Sequence, residues 1–157
     1  MKPLYIFDID GTLANCEHRV HILSQPGRSD QKWRDFYAAC DKDYPISQTL
    51  KTLGLVLTAG ADVWFWTGRS DEVRLKTIDW LIANSTSFRH FLKDGCVLLM
   101  RNEGDHTPDH ILKKQWLDAM LDEDRERLVA VFEDRASVVK MWRDAGVTCY
   151  QVAPGDF

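Results

Sequence analysis

The sequence lacks most features that would place it outside the cell or in a membrane. Only four cysteines occur in 157 residues, at positions 16, 40, 96 and 149, and no two form a C-x-x-C pair. This spacing argues against a disulfide framework or a zinc site and predicts a reducing, cytoplasmic setting. No apolar run approaches the roughly 18 residues of a membrane span, so no membrane partner is expected. Asp8 and Asp10 interrupt the N-terminal apolar stretch before a signal-peptide core can form. There is no G-x-x-x-x-G-K followed by Ser or Thr, hence no P-loop in this sequence. Positive charge is not in excess. Twenty Lys and Arg stand against 24 Asp and Glu, for a net charge of −4. This argues against a broad non-specific hold on nucleic acid, but not against a local basic cluster gripping one phosphate. Repeats and low-complexity tracts are absent, and nothing marks an obligate protein partner.

What is present suits one domain over 1–157 with a sizeable core, since 45% of residues are hydrophobic. The most informative stretch is Phe7-Asp8-Ile9-Asp10-Gly11-Thr12-Leu13, preceded by the apolar Leu4-Tyr5-Ile6. The apolar run reads as a buried strand. If the strand continues, period-two geometry turns Asp8 and Asp10 to one side, where their carboxylates converge. Converging carboxylates call for a cation, and Mg²⁺ suits oxygen ligands shared with phosphate. Gly11 permits a tight turn.

Farther along, apolar strands alternate with helical patterns. Strands are predicted at 62–66, 96–100, 128–132 and 147–152. Helices are predicted at 30–40, 47–59, 71–84, from 107 to about 120, and from about 135 to 145, with 85–95 a possible short helix. This rhythm predicts an α/β fold, a doubly wound parallel five-stranded sheet. Residues 14–46 break the rhythm and are expected to form a small helical cap insertion over the Asp8/Asp10 mouth. On it Trp33, Phe36 and Tyr37 lie at helical spacing. Packing is the favoured role for them over stacking on a base.

Polar residues follow each strand: Asp8 and Asp10, Thr67-Gly68-Arg69, Arg101, and Glu133-Asp134-Arg135. That is where open α/β sheets bind ligands. Asp8 is the candidate nucleophile and Asp10 the candidate acid and base. Thr67 and Lys113 are candidates to hold a phosphoryl group, and Asp8, Asp10 through its backbone carbonyl, Asp134 and, less directly, Glu133 to hold Mg²⁺. Each later cluster is weak alone. His106 and His110, four residues apart, read as solvated residues at a helix start rather than a zinc site. His18 and His21 read the same way.

The order D-x-D-G-T, then Thr, Lys and an acidic pair resembles the haloacid dehalogenase (HAD) superfamily of phosphatases. The C-terminal third, including Val131-Phe132-Glu133-Asp134-Arg135 and Gln151-Val152-Ala153-Pro154-Gly155-Asp156-Phe157, resembles the 3′-phosphatase domain of phage polynucleotide kinase/phosphatases. The likeness covers residues 4–13, 62–69 and 97–157. It implies Mg²⁺-dependent hydrolysis through an aspartyl-phosphate, with a 3′-phosphate of a nucleotide or nucleic-acid end as substrate. It also implies substrate contacts from Gly68, Arg69, Arg101 and Arg135. Two departures stand out: a longer insertion at 14–46, and Glu133 where the family commonly has aspartate. The alternatives are a 5′-nucleotidase or small-metabolite phosphatase on the same fold, and a non-catalytic module on the HAD scaffold.

Overall fold

The computed structural model describes residues 1–85 and 97–155. The first strand, β1 (Leu4–Phe7), occupies the centre of a five-stranded sheet. After it come a short β2 (Ala14–Asn15), α1 (Glu17–Ser24), α2 (Ser29–Ala38) and a short β3 (Tyr44–Pro45). Next are α3 (Ser47–Thr58), β4 (Asp62–Ser70), α4 (Arg74–Asn84) and β5 (Val97–Arg101). The chain continues through α5 (Asp109–Asp118), α6 (Asp122–Glu126), β6 (Leu128–Glu133), α7 (Ala136–Asp144) and β7 (Cys149–Gln151).

Every pairing in the large sheet is parallel, in the order β5-β4-β1-β6-β7. The chain runs outward from β1 through β4 to β5, then crosses back to β6 on the other side. The order therefore reverses at β1, which puts Asp8 at the crevice where such sheets bind ligands.

Both faces of the sheet are covered, as parallel strands require. On one face Leu53 and Leu57 of α3, with Trp80 and Leu81 of α4, pack against Phe7, Val63 and Phe65. On the other, Leu117 of α5 and Val138, Val139 and Trp142 of α7 pack against Ile6, Trp66 and Val131. Fully buried side chains of this size contribute about 1.5–3 kcal/mol each. The two apolar faces of one parallel sheet explain why β1 and β4 read as continuous apolar runs.

Several boundaries differ from the sequence reading. The strand β4 runs on to Ser70, four residues past the predicted end, because Ser70 pairs with Arg101 across a bulge after Thr67. Helix α1 and the β2–β3 pair were not anticipated. Their sequences carry no clear period, and β2 and β3 exist only through the antiparallel pairing of Ala14 with Pro45 and of Asn15 with Tyr44. That pair is the neck through which residues 14–45 leave and rejoin the sheet domain. The predicted short helix at 85–95 lies outside the described residues, apart from Ser85.

Candidate active site

The site begins where β1 stops. The strand ends at Phe7, and the backbone then folds into a compact turn in which the amides of Thr12, Leu13 and Ala14 all donate to the Ile9 carbonyl. Period-two geometry therefore no longer applies at Asp10. The two carboxylates take different partners and only Asp8 joins the acidic cluster, although the Asp10 charge still acts on it; this corrects the expected meeting of both carboxylates on one cation.

Asp8 faces the sheet's other loops. The Lys113 ammonium, on α5, donates to Asp8 Oδ1 at 2.7 Å and to Glu133 Oε2 at 2.6 Å. Glu133 Oε1 accepts the backbone amides of Asp134 and Arg135. Asp8, Glu133 and Asp134 are all buried, and one carboxylate oxygen of each lies within 4.8 Å of the others. The Asp10 carboxylate is not in this cluster. Three carboxylates against one ammonium leave a buried charge of −2 when all are ionised. Burial, then the charge of Glu133, push the Asp8 pKa up to about 8 despite the pull of Lys113. Burial, then Asp8, push Asp134 up to about 6. The donor set is all oxygen and its charge deficit equals one divalent cation, so the residues fit Mg²⁺. Asp8 and Asp134 are the better ligands, since both Glu133 oxygens already accept hydrogen bonds.

Gly11 makes room for this cluster. Its φ is +81°, and a Cβ there would lie 2.1 Å from Asp134 Oδ2. Thr12, next in the turn, donates its hydroxyl to Asp134 Oδ1 at 3.4 Å. Gly11→Ala is expected to destabilise the fold through its positive φ and to displace Asp134. A lowered Tm with loss of Mg²⁺ response would be seen, and an unchanged Mg²⁺ response would refute the displacement.

Asp10 is held in a separate unit. Arg19, on α1, and Arg69, on β4, donate to Asp10 Oδ1 at 2.7 and 2.6 Å. Both guanidiniums also donate to Asp43 Oδ2 at 2.7 Å. Two aspartates against two arginines make this unit neutral. Burial works to raise the Asp10 pKa, but Arg69 and Arg19 outweigh it and hold the carboxyl below its usual value. Phe36 covers the clamp, with the Arg19 guanidinium 4.1 Å from its ring centre.

A third unit lies around Asp109 at the start of α5. Its carboxylate accepts from Arg101 and pairs with Arg135 at 2.8 Å. Arg101 also donates to the Gly68 carbonyl at 2.9 Å. Asp109 Oδ1 comes so near Gly68 that a Cβ there would sit 2.6 Å away. One carboxylate thus lies between two guanidiniums.

These placements give the surroundings of the residues expected at the substrate. Arg69 has no exposed surface; its guanidinium binds Asp10, Asp43 and Thr77 rather than standing open to a substrate. The Thr67 hydroxyl is buried and accepts the Arg69 amide. Of the arginines expected at the substrate, Arg135 is the most open, with a third of its side chain exposed. Arg19, Asp43 and Asp109 were not singled out from sequence. Arg19 and Asp43 lie in the aperiodic insertion, and Asp109 reads as an ordinary helix start. Burial pushes the Cys16 and Cys149 thiols up to about 12, so neither supplies a thiolate near neutral pH.

The insertion is pinned to the sheet domain above these units. The Tyr37 hydroxyl donates to the Gly68 carbonyl at 3.2 Å, and Arg34 pairs with Glu103 at 2.7 Å. The Trp80 indole donates to the Asp43 carbonyl at 2.8 Å. Trp33, Phe36 and Tyr37 pack on one another, with Phe36 buried and Trp33 38% exposed at the rim.

A family model of the polynucleotide kinase PNKP phosphatase domain matches residues 2–157. The chain belongs to this family. These are HAD-fold phosphoric monoester hydrolases, as the acidic crevice above already suggested. In a solved structure titled as the Pnkp1/Rnl/Hen1 RNA repair complex, a similar chain is 27% identical with a TM-score of 0.75. The match covers 99% of this chain and 44% of that one, so the PNKP-family domain described here spans less than half of that relative. Two more distant structures share the fold. A class C acid phosphatase from Bacillus anthracis has a TM-score of 0.63 at 15% identity, covering 99% of this chain and 67% of its own. A haloacid dehalogenase-like hydrolase from Streptococcus pneumoniae has a TM-score of 0.58 at 12% identity, covering 94% and 83%. Among the described residues, no helix is long and apolar enough to cross a membrane.

Proposed function

We propose that this PNKP-family domain is a Mg²⁺-dependent phosphatase that removes 3′-phosphates from nucleic-acid ends or nucleotides through an aspartyl-phosphate. We take 1–157 as one cytoplasmic domain with 14–46 as its cap. The observation that carries the reading is the Lys113 ammonium bridging Asp8 and Glu133 at 2.7 and 2.6 Å beside Asp134. It aims the Asp8 carboxylate and leaves a net charge of −2 that one divalent cation would offset. Asp8 and Asp134 would hold the cation, which when bound screens the carboxylates and draws charge off the phosphoryl oxygens.

An Asp8 oxygen bonds to phosphorus as the ester P–O bond breaks, and the leaving oxygen takes a proton from Asp10. Water, giving its proton to Asp10, then attacks phosphorus and breaks the acyl-phosphate bond, releasing phosphate and the Asp8 carboxylate. In the free protein the clamp favours ionised Asp10. An entering phosphate dianion adds like charge beside it and moves its pKa up, the direction an acid requires. The guanidiniums of Arg101 and Arg135, beside the crevice, are of a kind that suits a neighbouring phosphate or nucleoside. The RNA repair complex containing the 27%-identical relative supports a nucleic-acid end as that substrate.

The test is a matched panel: a nucleoside 3′-monophosphate, its 5′ isomer, a 3′-phosphorylated oligonucleotide and a hexose phosphate, each with Mg²⁺ and with excess chelator. The 3′ substrates are expected to have the highest kcat/KM, and turnover to vanish with chelator. A tenfold preference for the 5′ isomer, about 1.4 kcal/mol the wrong way, would favour a 5′-nucleotidase. Full turnover in chelator would remove Mg²⁺ from the mechanism.

A further inference from the structure

We propose that the chain leaving β7, Gln151 to Gly155, is a strap that positions Asp134 for the divalent cation; this rests on the metal reading above. Asp134 lies beyond the end of β6 and before the first residue of α7, where neither element's ladder holds its carbonyl. Three hydrogen bonds tie the strap to this loop, one of them to that carbonyl. The Val152 amide donates to the Glu133 carbonyl at 3.0 Å, and the Gln151 side-chain amide donates to the Asp134 carbonyl at 3.0 Å. The Ala136 amide, at the start of α7, donates to the Gly155 carbonyl at 2.8 Å.

Gly155 fits only because it has no side chain. A Cβ there would lie 2.2 Å from the Asp134 carbonyl oxygen, 2.6 Å from its carbonyl carbon and 2.8 Å from the Arg135 Cα. All three are backbone atoms, so no side-chain rotation relieves the clash. On the opposite side, the Asp134 carboxylate lies against Gly11. Asp134 is thus gripped between two glycines: one sets its carboxylate, the other its peptide. A ligand carboxylate is only as well placed as its own backbone. Removing groups that orient metal ligands commonly costs 10–100-fold in affinity.

The test measures Mg²⁺ binding directly, by calorimetry and by the Mg²⁺ concentration that half-maximally raises Tm. Wild type is compared with Gly155→Ala, Gln151→Ala and Gly146→Ala. Gly146 is the control: its φ is +77°, but a Cβ there meets nothing within 4 Å, so the variant strains the backbone away from the site. Gly155→Ala is expected to raise the Mg²⁺ midpoint about 10–100-fold. Gln151→Ala, at an exposed position, should raise it several-fold, and Gly146→Ala should lower Tm with the midpoint unchanged. Wild-type midpoints in both strap variants would overturn the proposal, and if Gly155→Ala does not fold, Gln151→Ala decides alone. A wild-type protein that does not bind Mg²⁺ would overturn the metal reading itself, and the strap's role with it.

Discussion

Asp8→Asn is expected to lower kcat by about a thousandfold or more and, at the same time, to stabilise the metal-free protein at neutral and alkaline pH. The first effect follows from losing the candidate nucleophile, the β1-end carboxylate that Lys113 holds together with Glu133. The second follows from the sign of the Asp8 shift. Its pKa rises from 3.8 to about 8 on folding, so the folded state holds this proton more tightly than the unfolded state. The contribution to stability is complete below 3.8. It is lost as pH rises toward 8, where a buried carboxylate must ionise beside Glu133. Asp134 adds a loss of the same sign between 3.8 and about 6. Asparagine has no proton to give up, so Asp8→Asn removes the Asp8 part of the slope. Thermal unfolding in chelator across this pH range would then show a steeper decline for wild type than for Asp8→Asn. Parallel curves would mean that Asp8 does not carry the charge strain. Substantial turnover by the variant, or phosphate trapped on another side chain, would reassign the nucleophile.

The largest loss of stability is expected at Asp43, a residue outside the acidic cluster. Its side chain is fully buried, and both Arg19 and Arg69 donate to it. Asp43→Ala leaves two buried guanidiniums sharing Asp10 alone. Breaking a buried pair in this way costs about 3–5 kcal/mol. For a protein of this size that corresponds to a Tm lower by roughly 6–20 °C. The clamp also orients Asp10, so turnover should fall even at temperatures where the variant is folded. Arg19→Met in the Asp43→Ala background removes the stranded cation along with its partner. The double variant should therefore be more stable than the sum of the single losses, by a coupling of about 0.5–3 kcal/mol. Strict additivity would show that the two side chains do not depend on each other.

Much of this protein was legible in one dimension because much of it is local or periodic. The apolar runs of β1, β4 and β6 report strands buried on both faces, and the polar residues after them mark the sheet's ligand-binding edge. Asp8, Lys113 and Asp134 could be named because each sits at a position that this rhythm makes predictable. The extent of β4 could not be read, because its last residues stay extended through pairing with Arg101 in another strand.

Partnership between charges was not legible at all. Ion pairs such as Arg19 with Asp43, or Arg101 and Arg135 with Asp109, carry no sequence period, since a charge accepts a partner from any element that reaches it. The separate surroundings of Asp8 and Asp10 also escaped the sequence reading. Two residues that alternation would have given one shared cation take different partners because the strand ends at Phe7 and an arginine from the insertion binds the second carboxylate. By itself the sequence determined the sheet, the edge of the crevice and the family to which the chain belongs. The tertiary structure alone decided which carboxylates cluster together, which one lies between arginines, and which arginines are buried. Those outcomes depend on distances between elements far apart in the chain, and distance is what fixes the strength and sign of an electrostatic interaction.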